Sequence, residues 1–280
     1  MPATGDVSTE PRAAHRIVGV LGGMGPLATA DFYAKLVRLT PARADQDHLR
    51  VVIDSNPKIP DRTAALTGEG PDPTPALVAT ARALVRAGAE LIAIPCNSAH
   101  AFLSAVRQGV TVPVLDMVDE VAAAVAALDP APRAIGLLAA SGTLRAGLYQ
   151  RALAARRIGL VEPTPDEQEA VMAVIRAVKT GDLAPGVRER ARESAGKLIE
   201  RGAEALVLGC TELPLVLGSQ DVPVPVFDST AILAAAAVRE ATRIEPRSRR
   251  PGDRARVEFP GGPQRLFQHS AGSSKPARRS

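Results

Sequence analysis

The chain repeats itself, and that repeat restricts the possible fold more than any other feature. Arg16-Ile17-Val18-Gly19-Val20-Leu21 is echoed 117 residues later by Arg133-Ala134-Ile135-Gly136-Leu137-Leu138. Leu84-Val85-Arg86-Ala87-Gly88-Ala89-Glu90 is echoed 114 residues later by Leu198-Ile199-Glu200-Arg201-Gly202-Ala203-Glu204. Val112-Pro113-Val114-Leu115-Asp116 is echoed 112 residues later by Val224-Pro225-Val226-Phe227-Asp228. Three echoes in one order at nearly one offset read as an internal duplication. Short apolar runs alternate with helix-period segments, the pattern of parallel sheets with helices on both faces. In such folds ligands bind beyond the carboxyl ends of the strands.

The echoes set the expected boundaries. Residues 16–115 with 226–245 form a first α/β domain and 116–225 a second. Residues 1–15 are expected to be a disordered N-terminus and 246–280 a basic disordered tail. Strands are expected at 16–21, 51–54, 91–94, 112–115, 133–138, 205–208 and 224–227. A helix is expected from Pro26 to about Leu39, with Pro26 suited to its first position. Asp116 opens another. Further helices are expected at 76–87, 142–155, 166–179 and 187–201. Residues 55–75, rich in Pro, Gly and Asp, read as one long loop, and loops of that length in a compact domain are usually functional.

The only two cysteines occupy matching places in the two copies, in Ile94-Pro95-Cys96-Asn97-Ser98 and Leu208-Gly209-Cys210-Thr211-Glu212. Each follows a strand-like apolar run and precedes a small polar residue able to start a helix. Facing copies would put the thiols on opposite walls of one cleft. A thiolate is a base as well as a nucleophile, and a helix N-terminus lowers its pKa. Two such groups can invert a carbon centre: one removes its proton and the other delivers a proton from the opposite side. The carbanion between those steps needs donors around the substrate carboxylate. Asn97, Ser98, Thr143 and Thr211 are the candidates, with nearby backbone N–H groups. A single cysteine would read as a buried, inert thiol; repetition in matched contexts argues for function. Cytosolic redox conditions, the default for such a chain, disfavour a disulfide. Cys96-x-x-x-His100 offers two metal ligands without a tetrahedral set, so His100 reads as a packing residue.

Other signals are weaker. Gly23-Met24-Gly25-Pro26-Leu27-Ala28 matches the loose G-x-G-x-x-A dinucleotide pattern. Pro26 removes an N–H from that supposed phosphate site, so the segment reads instead as a tight turn where backbone can approach a small ligand. In Asn56-Pro57-Lys58-Ile59-Pro60-Asp61-Arg62-Thr63 the prolines would fix Arg62. Its guanidinium suits a carboxylate, or it is a solvated loop arginine. Lys179 closes a helix and by itself would offset that helix's dipole.

Composition narrows the function classes. Aromatic residues are 2% of the chain and Trp is absent, against a base-stacking nucleic-acid binder. No apolar run is long enough for a membrane span. Residues 1–16 lack the apolar core of a secretory signal. The net charge of +4 is misleading. Residues 246–280 carry nine Lys/Arg and two Asp/Glu, a net of +7, which leaves 4 − 7 = −3 for the rest. The tail reads as a solubilising extension.

Together these segments resemble the aspartate racemases of the cofactor-independent aspartate/glutamate racemase superfamily. The resemblance rests on Gly19 to Ala30, Asn56 to Thr63, Pro95 to Phe102, Gly142-Thr143, Val178-Lys179 and Gly209 to Glu212, and spans about Arg16 to Arg243. It implies two flavodoxin-like domains, a homodimer, and no pyridoxal phosphate or metal. It further implies that Cys96 and Cys210 are the acid/base thiols and that Arg62 and Lys179 hold a side-chain carboxylate. Asn97, Ser98, Thr143 and Thr211 would contact the α-carboxylate and α-amino groups, with Met24 offering its backbone and Glu212 completing the second cysteine motif. Two departures bear on substrate choice: Ser98 stands where threonine is usual, and Ala140-Ser141 where a threonine pair is common. The expected function is interconversion of L- and D-aspartate, with glutamate as a further substrate. A maleate isomerase-like or hydantoin racemase-like enzyme, or a non-catalytic ligand-binding relative, are the alternatives.

Overall fold

The structure, a computed structural model, describes residues 15–243. The expectations for residues 1–14 and for the basic tail over 246–280 lie outside the described residues. In chain order the elements of the first half are β1 (Val18–Gly22), α1 (Pro26–Leu39), β2 (Val51–Ser55), α2 (Arg62–Thr67), α3 (Thr74–Arg86), β3 (Leu91–Ala93), α4 (Leu103–Gly109) and α5 (Met117–Ala126). Those of the second half are β4 (Ala134–Ala139), α6 (Ser141–Arg145), α7 (Leu148–Ala154), β5 (Gly159–Val161), α8 (Pro165–Lys179), α9 (Pro185–Glu200), β6 (Ala205–Gly209), β7 (Val226–Asp228) and α10 (Ser229–Thr242).

Among the described residues all strand pairs are parallel, in two sheets ordered β2-β1-β3 and β5-β4-β6-β7. Val18 aligns with Val51 and Leu91, while Ile135 aligns with Leu160 and Ala205. Val114 bridges to Ile92 at the free edge of β3, so both halves share one topology. The duplication read from the sequence is thus present in the fold. The expected strand at 112–115 shrinks to that single bridge: β3 stops at Ala93, before Ile94-Pro95, and the Met117 N–H, the next donor along the neighbouring segment after Leu115, goes to His100 Nε2 instead of the ladder. In the second half Leu208-Gly209 stands at the corresponding place. There β6 runs five residues and pairs with β7. The return segment divides accordingly: β7 lies in the second sheet, whereas α10 packs against α1 and α5.

Alternation along the strands sorts their side chains into layers. Val18, Val20, Leu91 and Ala93 share one buried cluster with Ile135, Leu137, Ala205 and Val207, and with residues of α5, α7 and α10. Helices thus fill the space between the inner faces of the two sheets. The outer faces are covered separately. Leu21, Ile92 and Ile94 pack with α3 and α4 residues, in the cluster that contains Cys96. Leu206 and Leu208 pack with α8 and α9 residues, in the cluster that contains Cys210.

Two helix expectations need correction. The long loop contains α2, which Asp61 opens by accepting the Ala64 N–H at 2.8 Å and Gly68 closes at φ +85°. Asp61 and Gly68 are ordinary start and stop signals, flanking a helix of six residues, too short to show an apolar period. The single helix expected over 142–155 is two, α6 and α7, parted at Gly147 with φ +62°. Strand β5 is three residues at a sheet edge, too short for the sequence to show it as an apolar run. The first of these corrections matters for the site. A Cβ on Gly142 would stand 2.8 Å from the Thr63 Cα, so glycine there lets α2 of the first half settle against α6 of the second.

Candidate active site

Cys96 and Cys210 lie just past the carboxyl ends of β3 and β6, both buried. They line one narrow cleft together with Met24, Arg62, Asn97, Ser98, Thr143, Lys179, Thr211 and Glu212. Every site residue chosen from the sequence therefore meets there. Asp61, Thr63 and Ala140 complete the lining. Asp61 and Thr63 flank Arg62 in the motif and were legible as neighbours, not as site residues. The cleft is nearly shut, with only ≈ 10 Å³ open to the centre of a water molecule.

The thiols are not at α-helix N-termini. Short 3-10 turns follow them, Ser98–Phe102 and Leu213–Leu215, so the expected activation by a helix dipole is not supplied. The Cys210 thiol lies instead in the opposite regime. Burial pushes its pKa well above the usual thiol range, the Glu212 charge adds to that, and Lys179 opposes it. The thiol donates to Glu212 Oε2 at 2.9 Å. Cys96 Sγ has Ser98 Oγ 3.6 Å away.

Three polar atoms in this cleft are buried without a hydrogen-bond partner: Arg62 Nε, Thr143 Oγ1 and Glu212 Oε1. Buried groups of this kind normally find partners, so an orphan asks for a reason. Arg62 is fixed as the proline-rich segment suggested, its Nη1 donating to the Ile59 and Pro60 carbonyls at 3.1 and 2.8 Å. That leaves the Nε edge free. Glu212 spends Oε2 on Cys210 and Thr211 and keeps Oε1 unspent. Lys179 is exposed as a residue yet reaches the cleft, as long amphipathic side chains do. Burial lowers its pKa, but the charges of Glu212, Cys210, Cys96 and Asp61 outweigh that and hold it above the ordinary lysine value.

One selected residue differs from expectation in what its side chain does. Asn97 lines the cleft, but both ends of its amide are engaged, with Tyr149 Oη and with Ser229 Oγ. His100 is a strut, as its sequence context suggested. Its Nε2 accepts the Met117 N–H at 3.0 Å, so the proton is on Nδ1, which donates to the Cys96 carbonyl at 2.9 Å. Burial holds this imidazole below its usual pKa, hence neutral. The glycine turn packs on protein rather than on a phosphate: Gly23, at φ +89°, lies against the Asn56 backbone, and its N–H donates to Thr29 Oγ1 at 2.9 Å. Among the described residues no group of three His, Cys, Asp or Glu is placed to hold a metal ion, and no helix is long and apolar enough to cross a membrane.

A thiol kept neutral by burial has a signed effect on stability. In the unfolded chain the thiol ionises near its ordinary value of about 8.5, while the folded chain retains the proton to higher pH. The contribution is complete below that value. It is lost as pH rises, because the unfolded state then sheds a proton that the native state keeps. The stability difference between the wild type and Cys210→Ala should therefore shrink from about pH 8.5 upward, as measured by denaturant melts at each pH. A difference independent of pH would show that Cys210 ionises as freely in the fold as outside it.

Known proteins share this fold. The chain is similar over 82% of its length to an aspartate racemase from Picrophilus torridus, with 33% identity, a TM-score of 0.74 and 96% of that chain covered. It is similar to an aspartate racemase homologue from Pyrococcus horikoshii OT3, with 29% identity and a TM-score of 0.65, over 81% of this chain and 100% of that one. In sequence it is 28% identical over 231 residues to the broad specificity amino-acid racemase RacX of Bacillus subtilis, covering 79% of this chain and 96% of that protein. The family model for Asp/Glu/Hydantoin racemase matches residues 21–237. With paired cysteines at equivalent strand ends of a duplicated α/β fold, the chain belongs to the Asp/Glu/Hydantoin racemase family.

Proposed function

We propose that the protein racemises aspartate by proton transfer between Cys96 and Cys210 on opposite faces of the substrate Cα. The observation that carries this reading is the trio of unpartnered buried atoms in the cleft that also holds both thiols. A dicarboxylic amino acid answers each of them. Its side-chain carboxylate would accept from Arg62 Nε and pair with Lys179. Its ammonium would donate to Glu212 Oε1, and its α-carboxylate would accept from Thr143 Oγ1. A hydantoin has no second carboxylate for the two cations.

The protons balance without any further reactant. One cysteine, as thiolate, takes the α-proton and becomes a thiol. The other, as thiol, gives its proton to the carbanion from the far side and becomes the thiolate. In the resting site Cys210 carries its proton, directed at Glu212, so it is the donor for one enantiomer, and the two cysteines exchange roles for the other. The carbanion is sheltered by the donors around its carboxylate. An amino acid needs more space than the closed cleft offers, so its entry parts the walls and its binding closes them.

A second reading, broad specificity, is favoured by Ser98 and by Ala140-Ser141, where smaller groups stand in place of threonine. The likeness to RacX agrees with it. Chiral chromatography on a panel of L- and D-amino acids separates the two. Aspartate is expected to turn over fastest. Comparable rates on alanine would favour the broad reading, and no racemisation of any amino acid would sink both.

A further inference from the structure

Behind the cleft lies a buried chain of hydrogen bonds that joins the two cysteine-bearing strand ends. Asn97, next to Cys96, donates through Nδ2 to Ser229 Oγ at 3.1 Å. Ser229 donates its only hydroxyl proton to the carbonyl of Leu208 at 2.7 Å, two residues before Cys210. Tyr149 donates to the Asn97 Oδ1 at 2.5 Å. The orientation of the amide follows from donor counting. A carbonyl can only accept, so the Ser229 proton goes to Leu208. Ser229 Oγ must then accept from Asn97, which turns Nδ2 toward Ser229 and Oδ1 toward the phenol. Tyr149 and Ser229 are 0% exposed and Asn97 is 3% exposed, so water does not compete for these bonds.

We propose that Ser229 and Tyr149 are positioning residues that set the separation of the two thiols. The proposal rests on the two-thiol reading above. β3 and β6 belong to different sheets, so no strand ladder sets the gap between Cys96 and Cys210. The path Cys96–Asn97···Ser229···Leu208–Gly209–Cys210 does. Ser229 is itself held in place: it is the first residue of α10, which Asp228 caps by accepting the Thr230 and Ala231 N–H groups at 2.8 and 3.1 Å. Met117, its counterpart 112 residues earlier, opens α5 and fixes the Cys96 carbonyl through His100. Each first residue of these two helices thus ties down a strand end that carries a thiol. Racemisation needs both thiols within reach of one carbon, and displacements near 1 Å cost about 10²-fold. Exchange of the α-proton with solvent needs only one thiol.

That difference supplies the test. In Ser229→Ala, conversion of L- to D-aspartate should fall at least about tenfold, while deuterium exchange at Cα with retention stays within about threefold of wild type. The ratio of exchange to racemisation, read by NMR in D₂O, therefore rises. Ser229→Thr keeps the hydroxyl and should restore the ratio. A purely structural role would lower both rates together and leave the ratio unchanged, and that result overturns the proposal. Tyr149→Phe removes one oxygen only and gives the same readout should Ser229→Ala fold poorly. If the wild type neither exchanges nor racemises any amino acid, the racemase reading fails instead, and the two failures are told apart by the wild-type control.

Discussion

Replacing Cys96 or Cys210 by serine should lower racemisation of aspartate by at least about 10²-fold, the usual worth of one general acid–base group. A serine hydroxyl is far less acidic than a thiol and is a poor base near neutral pH. Both sulfurs are buried in one cleft, so solvent is badly placed to substitute for either. The two variants should not be equivalent. Each keeps one thiol, and that thiol can still remove and return a proton on its own face. Cys96→Ser and Cys210→Ser should therefore retain Cα deuterium exchange for opposite enantiomers. NMR in D₂O, run separately on L- and D-aspartate, reads this directly. If either variant racemises at the wild-type rate, the two-base mechanism is wrong for this protein.

The second large effect is expected at Arg62. Its Nη1 is committed to two backbone carbonyls of its own segment, and its buried Nε has no partner. A substrate carboxylate meeting that edge would be a desolvated charge partner, whose loss typically costs about 2–5 kcal/mol. Tenfold in rate corresponds to about 1.4 kcal/mol, so Arg62→Ala should lower kcat/KM for aspartate between about 30-fold and several thousand-fold. Alanine, with no second carboxylate, should lose much less. The comparison between substrates removes the structural part of the effect, since loosening the loop around Pro60 would penalise both. Lys179 cannot make up the loss, because an ammonium lacks the flat fork of a guanidinium. Equal losses on aspartate and alanine would show that Arg62 does not read the side chain.

The proposed pin at Ser229 adds a different kind of residue to this set. Arg62, Thr143 and Glu212 face the cleft with atoms to spare. Ser229 and Tyr149 have none to spare and sit behind it. Substitutions of the first group should change which substrate is used and how well it binds. Substitutions of the second should change how completely a removed proton is returned on the opposite face.

The periodic and repeated features of the sequence by themselves determined the α/β duplication and the strand-end placement of both cysteines, whereas Met24, Arg62, Lys179 and Glu212 were assigned to the site only through the family resemblance. Apolar runs and their echoes are local signals that survive without tertiary context, and the sites of parallel α/β folds collect at strand ends. Elements without such a signal were lost. α2 is one short helix inside a proline-rich segment, β5 is three residues long, and Gly147 breaks what reads as one helix. Local chemistry also misled at the cysteines. Small polar residues after each strand promised helix N-termini and acidic thiols, but the chain makes 3-10 turns there, and burial beside Glu212 moves Cys210 the other way. Only the tertiary structure could decide that Asn97 is bound to Tyr149 and Ser229, 52 and 132 residues away. The same holds for the three cleft atoms left without partners. Burial and hydrogen-bond pairing depend on which distant segments meet, and spacing along the chain does not encode that.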